Sequence, residues 1–357
     1  MRRRVALIYN EPQKSRYDTN CERKAVEGVM EAVDAVHQAL IELKDDVVLL
    51  PLVPPFKEAR KKLAALKVDV VFNLFEGFCG DPPTEALVPE TLNKLGIIYT
   101  GCKPDVLRLA LDKAGVKVIL KAAGMPTPDF QLLNPETLHT FRLGYPCIVK
   151  PRNEDASHGI TAKSLVRNLA SLKRQVKAVS EAYGGSALVE QFMGGREFNA
   201  TVIGNKKLSV LPVSEIVYTL PPGIPRLLTF AAKWENDSIY YEHTKVHCPA
   251  EVTEKERKYI ASTALTTFKI LGCRGYARVD MRMDDAGKLN VIELNPNPDI
   301  SPGTGAARQA EAAGMTYAQF VDVIVNLALE KDKNGHQDTH HVPQGQTGLD
   351  ANIAAYA

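Results

Sequence analysis

The run Gly275-Tyr276-Ala277-Arg278-Val279-Asp280 is followed, after a turn at Asp285-Ala286-Gly287, by Val291-Ile292-Glu293-Leu294-Asn295. Both runs fall in strands, expected over Arg274–Met283 and Lys288–Leu294, and the turn joins them as a hairpin. Side chains alternate along a strand, so Glu293 and Asn295 share one face while Ile292 and Leu294 take the other. A two-residue loop at Ala286-Gly287 sets Asp280 directly across from Glu293. A glycine bulge at Gly287 instead shifts the register by one residue and changes the facing side. In the first register Asp280, Glu293 and Asn295 converge, offering carboxylate and amide oxygens without His or Cys. Such hard donors suit Mg²⁺ (or Mn²⁺) completed by phosphate oxygens, and hence a nucleotide. An acidic strand pair facing water is the plain alternative.

Upstream, Tyr145-Pro146-Cys147-Ile148-Val149-Lys150-Pro151 is an apolar strand that delivers a lysine into the loop Arg152-Asn153-Glu154-Asp155-Ala156-Ser157-His158-Gly159. Phosphate oxygens need such an ammonium and closely approaching backbone amides. Lys113, near a helix start, and Lys233, in a loop-rich stretch, are further candidates, each by itself more simply read as a solvated surface charge. Leu188-Val189-Glu190-Gln191-Phe192-Met193 then runs into Gly194-Gly195-Arg196-Glu197-Phe198. A strand entering a Gly-Gly connector can offer backbone groups to an adenine edge, and Glu197 beyond it can reach ribose hydroxyls. A generic hairpin with a solvated Glu197 reads equally well.

Around these runs the chain divides into units. Residues 1–101 alternate apolar strands and helical patterns: Val5–Tyr9, Ala25–Leu43, Val47–Leu52, Ala59–Leu66, Val68–Asn73, Thr84–Leu95 and Ile97–Tyr99. That alternation predicts a parallel α/β sheet covered by helices, with ligands at the carboxyl ends of strands, here Asn10-Glu11 and Asn73 to Gly77. Residues 102–186 carry helices at Val106–Leu111 and Lys113–Ala123, stopped before Pro126-Thr127-Pro128. Strands at Pro146–Lys150 and Gly159–Lys163 and a helix at Arg167–Glu181 complete an α+β unit. A second α+β unit, 187–330, holds strands to about Tyr218, a loop-rich stretch at Pro221–Asp237, a helix at Glu254–Leu271, the hairpin, and helices Gly305–Ala313 and Thr316–Leu329. The polar tail 331–357 lacks a sustained apolar face and reads as mobile.

Bulk properties narrow the function classes. With 357 residues, 45% of them hydrophobic, the chain is long enough for several packed units. Forty-four Lys and Arg against 42 Asp and Glu leave a charge of +2, so no field favours nucleic acid. The apolar run after Met1-Arg2-Arg3-Arg4 ends at Tyr9 and reads as a strand, not a leader, and no stretch reaches membrane-helix length. The six cysteines form no C-x-x-C pair, which fits thiols in a reducing cytoplasm.

In chain order, Lys113, Gly124-Met125-Pro126-Thr127-Pro128, Ile148-Val149-Lys150-Pro151, Glu190-Gln191-Phe192-Met193, Gly195-Arg196-Glu197-Phe198, Lys233, the Gly275–Asp280 run and Glu293-Leu294-Asn295 resemble the D-alanine-D-alanine ligase family. Ile98-Tyr99-Thr100-Gly101 is a further match. The resemblance runs from Phe72 to Leu329, and ordered motifs over about 250 residues are more specific than any one of them. It implies an ATP-grasp fold, in which two α+β units clasp ATP behind an N-terminal α/β domain, and it suggests a homodimer. Carried over by position, it implies Lys113 and Lys150 as phosphate contacts with Ser157 in the loop closing over them. Glu190 and the backbone near Met193 would hold adenine, Glu197 the ribose, and Lys233 the terminal phosphate. Asp280, Glu293 and Asn295 would bind Mg²⁺, and Arg278 would hold the carboxyl substrate and polarise the intermediate. The implied reaction is attack of a carboxylate on the γ-phosphate, then of an amine on the acyl phosphate, releasing ADP and phosphate.

Departures from the family gather at the substrate positions. The first strand ends in Glu11 rather than in a glycine-rich segment. Trp234 stands where the family has a tyrosine of a hydrogen-bonded triad, Thr304 where it has the triad's serine, and Asp299 and Asp155 where it has glycines. Glu76 and Glu85 are candidates for recognising the amine, or else merely charge a helix start. The resulting expectation is an ATP-dependent ligase joining small carboxylate and amine substrates. The alternative is an ATP-binding regulatory or degenerate protein without ligation, suggested by Trp234 and Asp299.

Overall fold

A computed structural model describes residues 2–19, 24 and 27–330. The tail expected to be mobile, and Cys21, lie outside the described residues.

Strands β1 (Arg4–Asn10), β2 (Asp46–Leu52) and β3 (Val70–Leu74) form a parallel sheet in the order β2-β1-β3. β1 is apolar without alternation because both its faces are covered. Val5, Leu7 and Tyr9 meet Ala32, Val33 and Val36 of helix Val29–Glu42, whereas Ala6 and Ile8 meet Ala59 and Leu63 of helix Phe56–Ala64 and Val88 and Leu92 of helix Leu87–Lys94. The strand expected at Ile97–Tyr99 is reduced to a single parallel bridge, Val71 to Tyr99.

β4 (Phe130–Leu133), β5 (Cys147–Lys150), β6 (Leu165–Val166) and β7 (Ala187–Gln191) make an antiparallel sheet in the order β4-β7-β5-β6. Helix Leu169–Tyr183 lies on it, started by a capping box between Asn168 and Ser171. Two expectations change here. The strand placed at Gly159–Lys163 is a loop and a short 3₁₀ turn, because Gly159 sits at φ +72° and Thr161 caps Ala162–Ser164; the pairing begins only at Leu165. β7, assigned from sequence to the third unit, hydrogen-bonds to both β4 and β5, so the chain changes sheets between Gln191 and Glu197.

The third sheet is antiparallel, ordered β11 (Thr244–His247), β10 (Ser214–Tyr218), β8 (Glu197–Gly204), β12 (Gly275–Met283), β13 (Leu289–Asn295), with β9 (Leu208–Val210) on β8. One face packs on Ile260, Ala264 and Phe268 of helix Glu254–Ile270. Val106 and Ala110 of helix Pro104–Leu111, and Val116 and Leu120 of helix Lys113–Ala122, join that same core, although these helices were assigned from sequence to the central unit. Ala114, on the other side of the second helix, touches Phe130 and Leu188 of the central sheet, so Lys113–Ala122 is the wedge between the two clasping sheets.

The N-terminal sheet and the end of the chain share one core. Phe320, Val321, Ile324 and Val325 of helix Tyr317–Leu329, with Ala306 and Ala310 of helix Gly305–Ala312, pack with Val5, Leu7 and Phe72. Arg3 crosses the same boundary, donating to both oxygens of Asp45 and, at 2.6 Å, to Asp322. Among the described residues no single helix is long and apolar enough to cross a membrane.

Candidate active site

The register of the β12/β13 hairpin combines both expectations. Near the turn the loop has three residues, with Asp284 paired to Lys288 and Gly287 at φ +81°, so the register starts one residue away from that of a two-residue loop. An irregularity between Asp280 and Met281 then leaves Ile292 unpaired and restores Asp280 opposite Glu293 and Arg278 opposite Asn295. The bulge corrects the expected facing as well. Val291 and Leu294 both enter the core and Ile292 does not, so Ile292 is not the core partner of Leu294. The Ile292 carbonyl instead accepts from Lys117 Nζ at 3.3 Å.

On the face opposite that core, Arg278 clamps Asp280 through Nε (2.8 Å) and a terminal nitrogen (2.9 Å), and Asn295 Nδ2 donates to Asp280 Oδ2 at 3.0 Å. Burial works against the Arg278 charge, but Asp280 outweighs it and raises the pKa. Glu293 is half-buried, which disfavours its charge, yet Lys113 and then Lys150 hold it well below the usual carboxylate range. Its Oε1 lies 2.6 Å from Lys113 Nζ without hydrogen-bond alignment and has no other partner. Lys113 also donates to Asp155 at 2.7 Å; burial lowers its pKa and the two carboxylates raise it further than burial lowers it.

Behind this set stands a buried ionic triad. Glu190 Oε1 is 2.9 Å from Lys117 Nζ and Oε2 is 3.0 Å from Lys150 Nζ, and none of the three residues is more than 4% exposed. Burial pushes the Lys117 ammonium down to about 8 despite the pull of Glu190. The Glu190 carboxylate is thus committed to two lysines, and Lys117 is a site residue the sequence reading missed. Its only sequence signal is its place one turn after Lys113, beside Val116.

Met193, just before the Gly194-Gly195 connector, is buried, and beyond it Glu197 Oε2 accepts from Tyr218 Oη and from Arg282, both at 2.7 Å. Burial, and then the Glu197 charge, push the Tyr218 hydroxyl well above its usual range. Arg282 and Tyr218 were not singled out from sequence. Lys233, in helix Phe230–Trp234, has no ion-pair partner among the described residues, and burial, then Arg278, lower its pKa. Ser157 lies in the loop after β5 with its backbone at φ +64°, next to Ala156 at φ +50°.

The substrate candidates are less well gathered. Asn10 Oδ1 accepts from the Glu76 backbone N–H at 2.9 Å, so the strand-end asparagine positions the turn that carries Glu76. The Glu76 side chain is open to solvent but surrounded by protein. Burial, then the charges of Asp299 and Asp155, push its carboxyl up to about 8, by less when water fills the cleft. Glu85 is raised for the same first reason, with Asp155 and Glu76 adding to it. Asp299 accepts from the Ser301 backbone and hydroxyl and shapes the turn before helix Gly305–Ala312. Thr304 donates to the Ser301 carbonyl at 2.7 Å and makes no bond to Trp234, whose indole N–H points to the Ala156 carbonyl at 3.5 Å. Thr304 and Trp234, which depart from the family's triad, therefore do not rebuild it with each other. Glu11 is exposed beyond β1, with no contact to these groups among the described residues. Gln309 anchors the helix beside the site, accepting from Thr201 and donating to Asn199 and Ser214, and a Cβ on Gly305 would come within 3.4 Å of Arg278.

Comparison with known proteins agrees with this geometry. The family described as D-ala D-ala ligase C-terminus matches residues 119–326. The chain is 34% identical to the uncharacterized protein y4sG of Sinorhizobium fredii over 72% of this chain and 74% of that one. It is 31% identical to D-alanine–D-alanine ligase B of Chromobacterium violaceum over 73% and 82%. The solved D-alanine–D-alanine ligase of Bacillus anthracis complexed with ATP superposes with a TM-score of 0.70 at 22% identity, covering 92% of this chain and 97% of that one. With the family matched over most of the chain and the two clasping sheets in place, this protein belongs to the D-alanine–D-alanine ligase family of ATP-grasp enzymes and is an ATP-dependent ligase.

Proposed function

We propose that the cleft joins the carboxyl group of one small amino-acid-like substrate to the amine of a second, and that the pair need not be two D-alanines. The observation that carries this is the convergence of Asp280, Glu293, Asn295 and Arg278 of the hairpin with Lys113 and with Lys233, which has no ion-pair partner among the described residues. Asp280, Glu293 and Asn295 would hold Mg²⁺, and the residues fit it: all three offer hard oxygens, and Glu293 Oε1 is a buried oxygen with no aligned hydrogen bond, facing Lys113 Nζ at 2.6 Å. Among the described residues no group of three or more His, Cys, Asp or Glu is gathered to hold a metal ion, so nucleotide phosphates would have to complete the coordination. Bound there, Mg²⁺ would neutralise charge on the phosphoryl oxygens.

The chain's own groups do the rest. Lys113 and Lys150 face the phosphates, with Glu190 and Lys117 fixing Lys150 from behind. Lys233 takes the terminal phosphate. The acceptors near Met193 and the Tyr218–Glu197–Arg282 set hold adenine and ribose. Arg278, pre-oriented by Asp280, holds the carboxyl substrate and the developing oxyanion, and Ser157 lies in the loop that keeps water from the acyl phosphate. Glu76 and Glu85 supply the carboxyls that face the amine, whose positive charge on binding draws them back toward their ionised form. Thr304, by contrast, serves the turn at Ser301.

The test is phosphate release from ATP and Mg²⁺ across a panel of amino acids of both hands and of dipeptides, with product identified by mass. Stimulation by a carboxylate–amine pair is expected. If ATP binds but no pair stimulates ADP formation, the reading fails.

A further inference from the structure

A column of aromatic rings crosses the phosphate loop from one unit to another. The Tyr17 ring, from the N-terminal unit, stacks on His158 with centroids 4.0 Å apart and planes 8° from parallel. His158 meets Phe230 at 5.6 Å, and Phe230 meets Trp234 at 6.3 Å. Polar contacts follow the same path. Tyr17 Oη donates to the buried Glu154 carboxylate at 2.6 Å, the Phe230 N–H donates to the Ile160 carbonyl at 3.0 Å, and Trp234 Nε1 donates to the Ala156 carbonyl. The loop so gripped carries Ala156 and Ser157, two non-glycine residues in the left-handed region, and this conformation persists only where surroundings over-determine it. Behind Tyr17, a Cβ on Gly80 would lie 2.8 Å from the Tyr17 ring, so the ring is wedged between the turn that follows Glu76 and the phosphate loop.

We propose that Tyr17 is a positioning residue: stacked on His158 and bonded to Glu154, it holds the Asp155–Gly159 loop closed over the nucleotide phosphates and links that closure to the Glu76–Gly80 turn. The proposal rests on the reading of this loop as the cover of the phosphates. It differs from a structural role in what it protects, which is the loop and the water-sensitive intermediate rather than the fold.

Tyr17→Phe keeps the stack and loses the bond to Glu154; Tyr17→Ala loses both. Amide hydrogen exchange of residues 155–159, measured with ADP and Mg²⁺ and again without nucleotide, is expected to rise by about tenfold or more in Tyr17→Ala with nucleotide bound, and by less in Tyr17→Phe. In turnover, Tyr17→Ala should raise KM for ATP more than it lowers kcat and release more than one phosphate per amide formed. Loop exchange equal to wild type in a Tyr17→Ala protein whose β12 and β13 amides remain protected overturns the proposal. If Tyr17→Ala does not fold, His158→Leu breaks the same stack from the loop side and must give the same rise. The exchange measurement needs no product, so it stands apart from any failure to find the substrate pair.

Discussion

Glu190 balances two buried lysines, and removing its charge leaves both without a counter-ion. Glu190→Gln should cost about 3–5 kcal/mol in a denaturant titration at neutral pH. Lys117 gives that triad a pH signature. Its folded pKa is depressed to about 8 from an ordinary 10.5, so between those values the unfolded chain binds more protons than the folded one. The stability this lysine contributes is therefore present above about 10.5 and lost as the pH falls through about 8. The stability of wild type relative to Lys117→Met should accordingly rise with pH across that window, by up to about 1.4 kcal/mol per pH unit in urea titrations; a fall would give the shift the opposite sign. At the chemical centre, Asp280→Asn and Glu293→Gln should each lower turnover by at least about 100-fold, the scale of losing one preorganised polar group from a transition state. Turnover left intact would remove these residues from the metal site. Lys113 and Lys150 were legible because each sits at the end of a readable element. Lys117 was not, because a lysine amid a helical pattern looks like a solvated one until the second sheet covers it.

At the scale of elements, the hairpin shows where pattern runs out. Val291-Ile292-Glu293 reads as simple alternation, and the bulge at Ile292 is invisible because either register leaves an apolar residue beside Glu293. Deleting Ile292 should join the strands in one continuous register that keeps Glu293 opposite Asp280 and Asn295 opposite Arg278, while removing the carbonyl that accepts from Lys117. The expected outcome is retained turnover with a cooperative thermal transition, and a deletion variant that folds but is inactive would show that the bulge itself sets the facing of these donors. β7 was misplaced for a related reason: an apolar strand states its period, not its partners. β1 was legible as a parallel strand because burial on both faces leaves a run with no polar break. Gly159–Lys163, just after the phosphate loop, read as a strand because a contact that holds it out of the sheet comes from another unit, the Phe230 N–H on the Ile160 carbonyl, which no local window contains.

For the whole molecule, the distribution of cores predicts which parts move together. The N-terminal sheet and the last two helices share apolar side chains, whereas the central sheet has its own core in Leu133, Val149, Leu172, Val176 and Val189. Phe320→Ala, at a site with no exposure, should cost about 3–5 kcal/mol. It should raise amide exchange in β1 and β3 as much as in its own helix, while β5 and β7 change little. Exchange confined to residues 317–329 would show that the cores are separate. The sharing also sets an order of events during synthesis. β1, β2 and β3 leave the ribosome long before Phe320, Val321 and Ile324, which help close one face of their sheet, are made. The usual vectorial rule, with the first unit finished before the next, thus cannot apply in full. Until helix Tyr317–Leu329 emerges, the nascent chain carries this sheet face only partly covered, by helix Val29–Glu42, and that is the period in which a chaperone has something to hold.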